Sequence, residues 1–208
     1  MKKYHLALII VLLLSAKSYA QSSEEFILNE NFDRNKMGWA EEYTSSHYTG
    51  IKEGFLYIVS KDTTKERTSN GPQNVAFLWD MPEEYEITTS AERLKSFNDT
   101  RYGIILSSAT LTYKFSYSES GMAELTEYDA NKEEELYVFS KKISNTEKTN
   151  TAAVNLKITV AGRLYTFYIN NQKAGSGEFS AKSWEGIRLF VTSGSAAKFD
   201  YLRIKKIK

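Results

Sequence analysis

Short β-type runs follow one another along almost the whole chain, and no helical pattern of comparable strength competes with them. Leu111, Tyr113, Phe115 and Tyr117 alternate with Thr112, Lys114, Ser116 and Ser118. That is the period of two expected when one strand face meets a core and the other meets water. Val154, Leu156, Ile158 and Val160 alternate with Asn155, Lys157 and Thr159 in the same way, a division natural to antiparallel sheets. The runs 55–59, 75–79, 164–169 and 186–191 are apolar on both faces. They suit the middle of a sandwich whose outer face is partly covered, or the lining of a groove. Runs at 84–89, 102–106 and 198–204 complete the set. Trp39 and Trp79 are assigned to the core.

The breaks carry turn chemistry. Ser118-Glu119-Ser120-Gly121 and Ala161-Gly162 read as hairpin turns in which glycine supplies a positive φ. Ser69-Asn70-Gly71-Pro72 and residues 173–177 read as loops, and 141–150 is a polar stretch. No long linker, internal repeat or low-complexity block divides the chain. More than ten short runs at roughly 8–12-residue spacing predict an all-β, two-sheet antiparallel sandwich or barrel. The economical reading is a single domain over residues 24–208.

The first twenty residues are different. Lys2 and Lys3 precede the apolar run Leu6-Ala7-Leu8-Ile9-Ile10-Val11-Leu12-Leu13-Leu14, and Ser18 and Ala20 supply a small-x-small pattern. This reads as a secretory signal peptide, with cleavage expected after Ala20. The rival reading, a membrane anchor, needs about 20 apolar residues. No membrane span is expected after cleavage, and the destination is periplasmic or extracellular. The lysine-rich start and the lack of cysteine point to a bacterium.

The mature chain of 188 residues out of 208 is long enough for one sizeable core. Without cysteine it must be held by that core rather than by disulfides. Loss of Lys2, Lys3 and Lys17 leaves 24 basic against 26 acidic residues, a formal charge of −2. There is no basic stripe for a nucleic acid. His5 leaves with the signal, so a His-based zinc site or a Ser-His-Asp machine would rest on His47 alone. As a lone histidine it reads as an ordinary surface or turn residue.

The order of the pieces resembles the concanavalin A-like lectin/glucanase (laminin G-like) jelly rolls of bacterial exported proteins. Asn29-Glu30-Asn31-Phe32-Asp33 with Met37-Gly38-Trp39 is similar to that family's opening strand. Lys52-Glu53-Gly54-Phe55-Leu56-Tyr57-Ile58 resembles the next hairpin. Tyr102-Gly103-Ile104-Ile105-Leu106, Leu111-Thr112-Tyr113-Lys114-Phe115 and Ser120-Gly121 resemble the central hairpin region. Asn155-Leu156-Lys157-Ile158 and Phe167-Tyr168-Ile169-Asn170 look like a later strand pair. Phe199-Asp200-Tyr201-Leu202-Arg203-Ile204 looks like the closing strand. Asn171 stands where the family prefers glycine. The resemblance covers most of the mature chain and implies a jelly-roll sandwich. Sandwiches of this kind host lectins, glucanases and adhesion modules, so the resemblance speaks to fold more than to function.

The glucanase branch of the resemblance uses an E-x-D-x-E strand, and that pattern is absent. Glu84 and Glu86 share one strand face about 7 Å apart, but such pairs are ordinarily solvated charge. Glu133, Glu135, Glu124, Glu127 and Asp129 are the other acidic candidates. Sugar binding needs aromatics that stack on pyranose faces and polar groups for hydroxyls. Tyr128, Tyr137, Tyr168 and Trp184 are the candidates, since each falls on the less regular face of its run or in a loop; core or rim packing is the plainer reading of each. No cofactor is expected. The resemblance points to one structural calcium through Asp33 and Asp200, with surface carboxylates as the alternative. The leading expectation is a non-catalytic exported module binding glycan or polysaccharide. An envelope structural or protein-interaction domain is second, and a divergent glycoside hydrolase third.

Overall fold

The computed structural model describes residues 25–69, 71–72, 76–94, 99–143 and 153–207. The expected signal peptide and its cleavage point lie outside these residues, as does the polar stretch 144–150.

Among the described residues there are fifteen strands and no α-helix. They are β1 (Phe26–Glu30), β2 (Glu42–Tyr43), β3 (His47–Lys52), β4 (Phe55–Ser60) and β5 (Arg67–Thr68). Next come β6 (Glu84–Arg93), β7 (Arg101–Ser107), β8 (Leu111–Ser118), β9 (Met122–Asp129) and β10 (Glu134–Lys142). The last are β11 (Val154–Ala161), β12 (Leu164–Ile169), β13 (Gln172–Glu178), β14 (Gly186–Val191) and β15 (Ala196–Lys206). A nine-stranded sheet runs β13-β12-β11-β6-β15-β4-β3-β2, with β1 also paired to β15. A six-stranded sheet runs β10-β9-β8-β7-β14-β5. Every pairing is antiparallel. The architecture is a two-sheet sandwich, one of the two forms that the run pattern predicts, and the one that the resemblance implies.

The two sheets enclose one apolar cluster. The larger sheet contributes Leu56, Ile58, Ile87, Leu156, Ile158, Phe167, Phe199 and Leu202, and the smaller one Ile104, Leu106, Tyr113, Phe115, Leu125 and Leu189. Phe115 is at its centre. Its ring meets Tyr165, Phe167 and Phe179 edge to face, with centroids 5.5, 5.4 and 6.1 Å away. Burial of one such ring stabilises by about 1.5–3 kcal/mol, and each edge-to-face pair adds about 0.5–1.5 kcal/mol. With no disulfide available, these contacts hold the sandwich together.

The turn expectations hold where backbone geometry can be checked. Gly121 and Gly162 take φ of 84° and 59° in their hairpins. At the β12–β13 turn Asn170 and Asn171 take φ of 48° and 65°, so asparagine occupies the left-handed geometry where glycine was expected. The Asn170 side chain offsets some of that strain by accepting the Asn155 N–H at 2.8 Å.

Several expectations are corrected. The run 75–79 is not a strand: Ala76–Leu78 is a turn of 3₁₀ helix, and Val75 lies outside the described residues. Trp79 is 71% exposed and does not belong to the core, whereas Trp39 is buried. Asp80 and Pro82 directly after Trp79 favour a turn over a strand. Residues 173–177, expected as a loop, lie in β13, where Gly175 leaves room for the ring of Phe139. In the run 164–169, Tyr165, Phe167 and Ile169 point inward, Thr166 and Tyr168 are partly covered on the outer face, and Leu164 alone is exposed. In β8 the outer side is not simply solvated, because Ser116 and Ser118 are buried. The opening strand ends at Glu30, and Phe32 already has a φ of 57°. Lys141 and Lys142, read as part of a polar stretch, end strand β10.

Candidate functional site

The site with the most chemistry is the outer face of the six-stranded sheet. Inward residues of β7, β8 and β9 face the core, so strand alternation sends Arg101, Lys114, Ser116, Glu124, Thr126 and Tyr128 outward. Register adds Glu135 opposite Tyr128, Tyr137 opposite Thr126, and Ser140 opposite Glu124.

Two polar groups occupy this face. In the first, Arg101 forms an ion pair with Glu124, whose side chain is 9% exposed. The other oxygen of Glu124 accepts from Ser140 Oγ at 3.1 Å. Both carboxylate oxygens are therefore engaged, and this glutamate is a structural tie rather than a ready acid or base. In the second, Lys114 Nζ is 3.3 Å from Glu66 and 3.8 Å from Glu135. Thr126 Oγ1 donates to Glu135 at 3.0 Å. These groups are partly open to water and can exchange partners at small cost.

Tyr128 and Tyr137 stand over this second group. Each is exposed, by 38% and 70%. The register makes them diagonal neighbours on one face, a separation of about 7–8 Å between backbone positions. The bulge between Tyr137 and Phe139 bends β10 here and drives Phe139 inward against Phe167, with ring centroids 6.4 Å apart. Tyr137 is thus held outward by an anchored neighbour. At the end of β9, Asp129 is held below the usual carboxylate range by its hydrogen bond to Lys132.

The other two candidate aromatics lie elsewhere. Tyr168 is half-buried on the outer side of the larger sheet, with Lys157 Nζ 4.9 Å from its ring centre. Trp184 is 5% exposed at one end of the core, where its Nε1–H donates to Tyr85 Oη at 2.7 Å. The four residues do not form a single groove. Trp79, expected in the core, is exposed, as are Tyr43 and Phe26.

The remaining candidates are accounted for locally. His47 is nearly buried at the start of β3, with Nδ1 2.8 Å from Thr44 Oγ1 and Nε2 2.9 Å from Glu42. The same Thr44 oxygen also accepts the backbone N–H groups of Ser46 and His47, so it serves the turn. The hydrogen bond from His47 lowers the Glu42 carboxyl below its usual range. Glu86 lies 4.0 Å from Lys157 on the outer side of the larger sheet. Asp33 and Asp200 are exposed, the first on the turn after β1 and the second at the bulge of β15. Among the described residues no group of three or more Asp, Glu, His or Cys side chains gathers. Among the described residues, no helix is long and apolar enough to cross a membrane.

The fold is shared with jelly-roll domains of known structure. The endo-β-galactosidase of Clostridium perfringens superposes with a TM-score of 0.63 at 11% identity, over 90% of this chain and 65% of that one. The Bacillus licheniformis β-glucanase gives 0.59 at 9% identity, over 90% and 100%. The CBM2 module of the evolved Dit of Lactobacillus casei BL23 phage J-1 gives 0.54 at 10%, over 89% and 97%. No family model matches the chain, and no curated protein matches it in sequence. What these likenesses define is the fold: a two-sheet antiparallel jelly-roll sandwich.

Proposed function

We propose that this protein is an exported, non-catalytic module that binds a glycan or polysaccharide on the outer face of its six-stranded sheet. The observation that carries the reading is the pair Tyr128 and Tyr137, exposed side by side above Lys114, Thr126 and Glu135. Exposed rings stack on the apolar faces of pyranoses, and the polar groups below can exchange their bonds for sugar hydroxyls. A binding role rather than cleavage is supported by the fully engaged Glu124 on the same face. Export is supported by the sequence of residues 1–20.

The test is a thermal-shift and calorimetric screen of the mature protein against polysaccharides, with calcium and with chelator. One glycan class should raise the midpoint, as any ligand specific to the native state must. The Y128A/Y137A double variant should bind that glycan at least about tenfold more weakly, a loss of about 1.4 kcal/mol. Failure of every glycan to bind, or undiminished binding by the double variant, would overturn the reading. Intact mass of the exported protein should begin at Gln21.

A second reading, an envelope protein that meets a partner protein, is favoured by β10. This edge strand exposes Leu136, Tyr137 and Val138 together. Such an edge can accept a strand from another chain.

A further inference from the structure

At one end of the sandwich a cavity of about 330 Å³ opens between the turn carrying Trp79, the start of β6, the β11–β12 turn and the segment after β13. Its floor is made by Tyr85, Phe179 and Trp184, each at most 5% exposed. The Trp184–Tyr85 hydrogen bond and the edge-to-face contact of Phe179 with Trp184, centroids 4.7 Å apart, make that floor rigid. Trp79 forms a wall. Its turn is closed by the Trp79 N–H donating to the Ala76 carbonyl at 3.1 Å, and pinned by buried Leu78 and by Met81 packed on the core. An anchored turn therefore holds a bare indole at the mouth, although leaving a large apolar side chain in water forgoes about 1.5–3 kcal/mol.

The rim is polar. Arg163 is held by the Phe179 carbonyl at 2.8 Å and by Glu178 at 3.4 Å. Lys182 is exposed and has no ion-pair partner among the described residues. Ser183 and Glu83 complete the rim. The Tyr85 hydroxyl accepts the indole N–H and keeps its own proton for a ligand oxygen. Burial holds that proton on the oxygen across the physiological range.

We propose that this end pocket binds one acidic sugar unit, a hexuronate. Its ring stacks on Trp79, its carboxylate meets Lys182, and its hydroxyls bond to Tyr85, Ser183 and Glu83. A purely apolar ligand would leave these last three unmatched, and a neutral sugar would leave Lys182 unused. The volume is at the lower end of the roughly 300–1,000 Å³ of ligand pockets, which suits one ring rather than a long chain. The site is separate from the sheet face and does not depend on what that face binds.

The test titrates the mature protein with glucuronate and with glucose, read by saturation-transfer NMR and by tryptophan fluorescence. Glucuronate should bind about fivefold more tightly than glucose, with the difference fading at high salt. W79A should weaken glucuronate binding about tenfold with an unchanged thermal midpoint, since Trp79 is exposed. K182A should remove the preference for glucuronate, and Y128A/Y137A should leave glucuronate binding intact. Absence of saturable binding, equal affinity for the two sugars, full binding by W79A, or loss in Y128A/Y137A would each overturn the proposal.

Discussion

Replacing Gly103 with alanine tests how tightly the smaller sheet is built. Gly103 lies in β7, opposite Ser116 of β8 and Phe190 of β14. A Cβ added there would sit 1.9 Å from the Phe115 carbonyl oxygen, 2.9 Å from its carbon and 3.0 Å from Phe190 Cε1. The first distance is more than 1 Å below the 3.0 Å that real Cβ atoms respect. The obstacle is backbone, so no side-chain rotation relieves it. Either β7 moves away from β8 or the Phe115 peptide turns, and both weaken ladder hydrogen bonds worth about 1 kcal/mol each. Both also disturb the ring at the centre of the core. Overpacking of this kind costs about 1–3 kcal/mol or more, against about 0.4–1 kcal/mol gained by stiffening the unfolded chain. The expected net loss is about 2–3 kcal/mol, or roughly 4–12 °C in midpoint for a chain of this size. Urea unfolding followed by the fluorescence of buried Trp39 and Trp184 measures it. The control is G162A, where φ is +59° and nothing lies within 4 Å, so the cost is conformational alone, about 1 kcal/mol. If G103A unfolds within 0.5 kcal/mol of the parent, or G162A proves the worse variant, the packing argument fails.

Burial and backbone geometry lead to two further outcomes. Burial raises the Tyr85 and Tyr165 hydroxyls from 10.0 to about 12, and Tyr102 higher still. The native state then keeps protons that the unfolded chain releases, so stability is whole below pH 10 and falls between about 10 and 12. Tyr85 alone accounts for about 2–3 kcal/mol of that fall, at about 1.4 kcal/mol per unit. Unfolding free energies that stay level through that window would refute this, and Y85F should flatten the slope. At the β12–β13 turn, N171G should stabilise by about 0.5–1 kcal/mol, because glycine takes the φ of 65° without strain. It removes the exposed hydrogen bond from Lys157 to Asn171, 3.2 Å long, and a lowered midpoint would count against the reasoning.

Fold class was legible because the period of two survives wherever one face is buried: β8 and β11 were read from Tyr113, Phe115, Leu156 and Ile158 directly. Strand β10 was not, since nearly every residue from Glu134 to Lys142 is exposed and an edge strand has no apolar face to betray it. Trp79 was misread because indole area ordinarily signals burial, and only the following Asp80 and Pro82 speak for a turn. The sheet-face site was half legible. Tyr128 and Tyr137 could be named from the chain, but their partnership depends on a register and a bulge that composition does not encode. Tyr168 and Trp184 were named on the same grounds and lie on another sheet and at the end of the core.

Strand β15 pairs with β1, β4 and β6, so the last strand of the chain runs through the interior of the larger sheet. Until it docks, β4 and β6 each lack one neighbour and β1 lacks its only one. Closure of that sheet therefore waits for contacts spanning almost the whole sequence, Glu30 with Leu202 among them. Loop-closure entropy must be met before those contacts repay it, which makes folding slow and late. The consecutive hairpins β7-β8-β9-β10 and β11-β12-β13 need no part of β15, so the sandwich is local along its flanks and long-range only at the middle of its larger sheet.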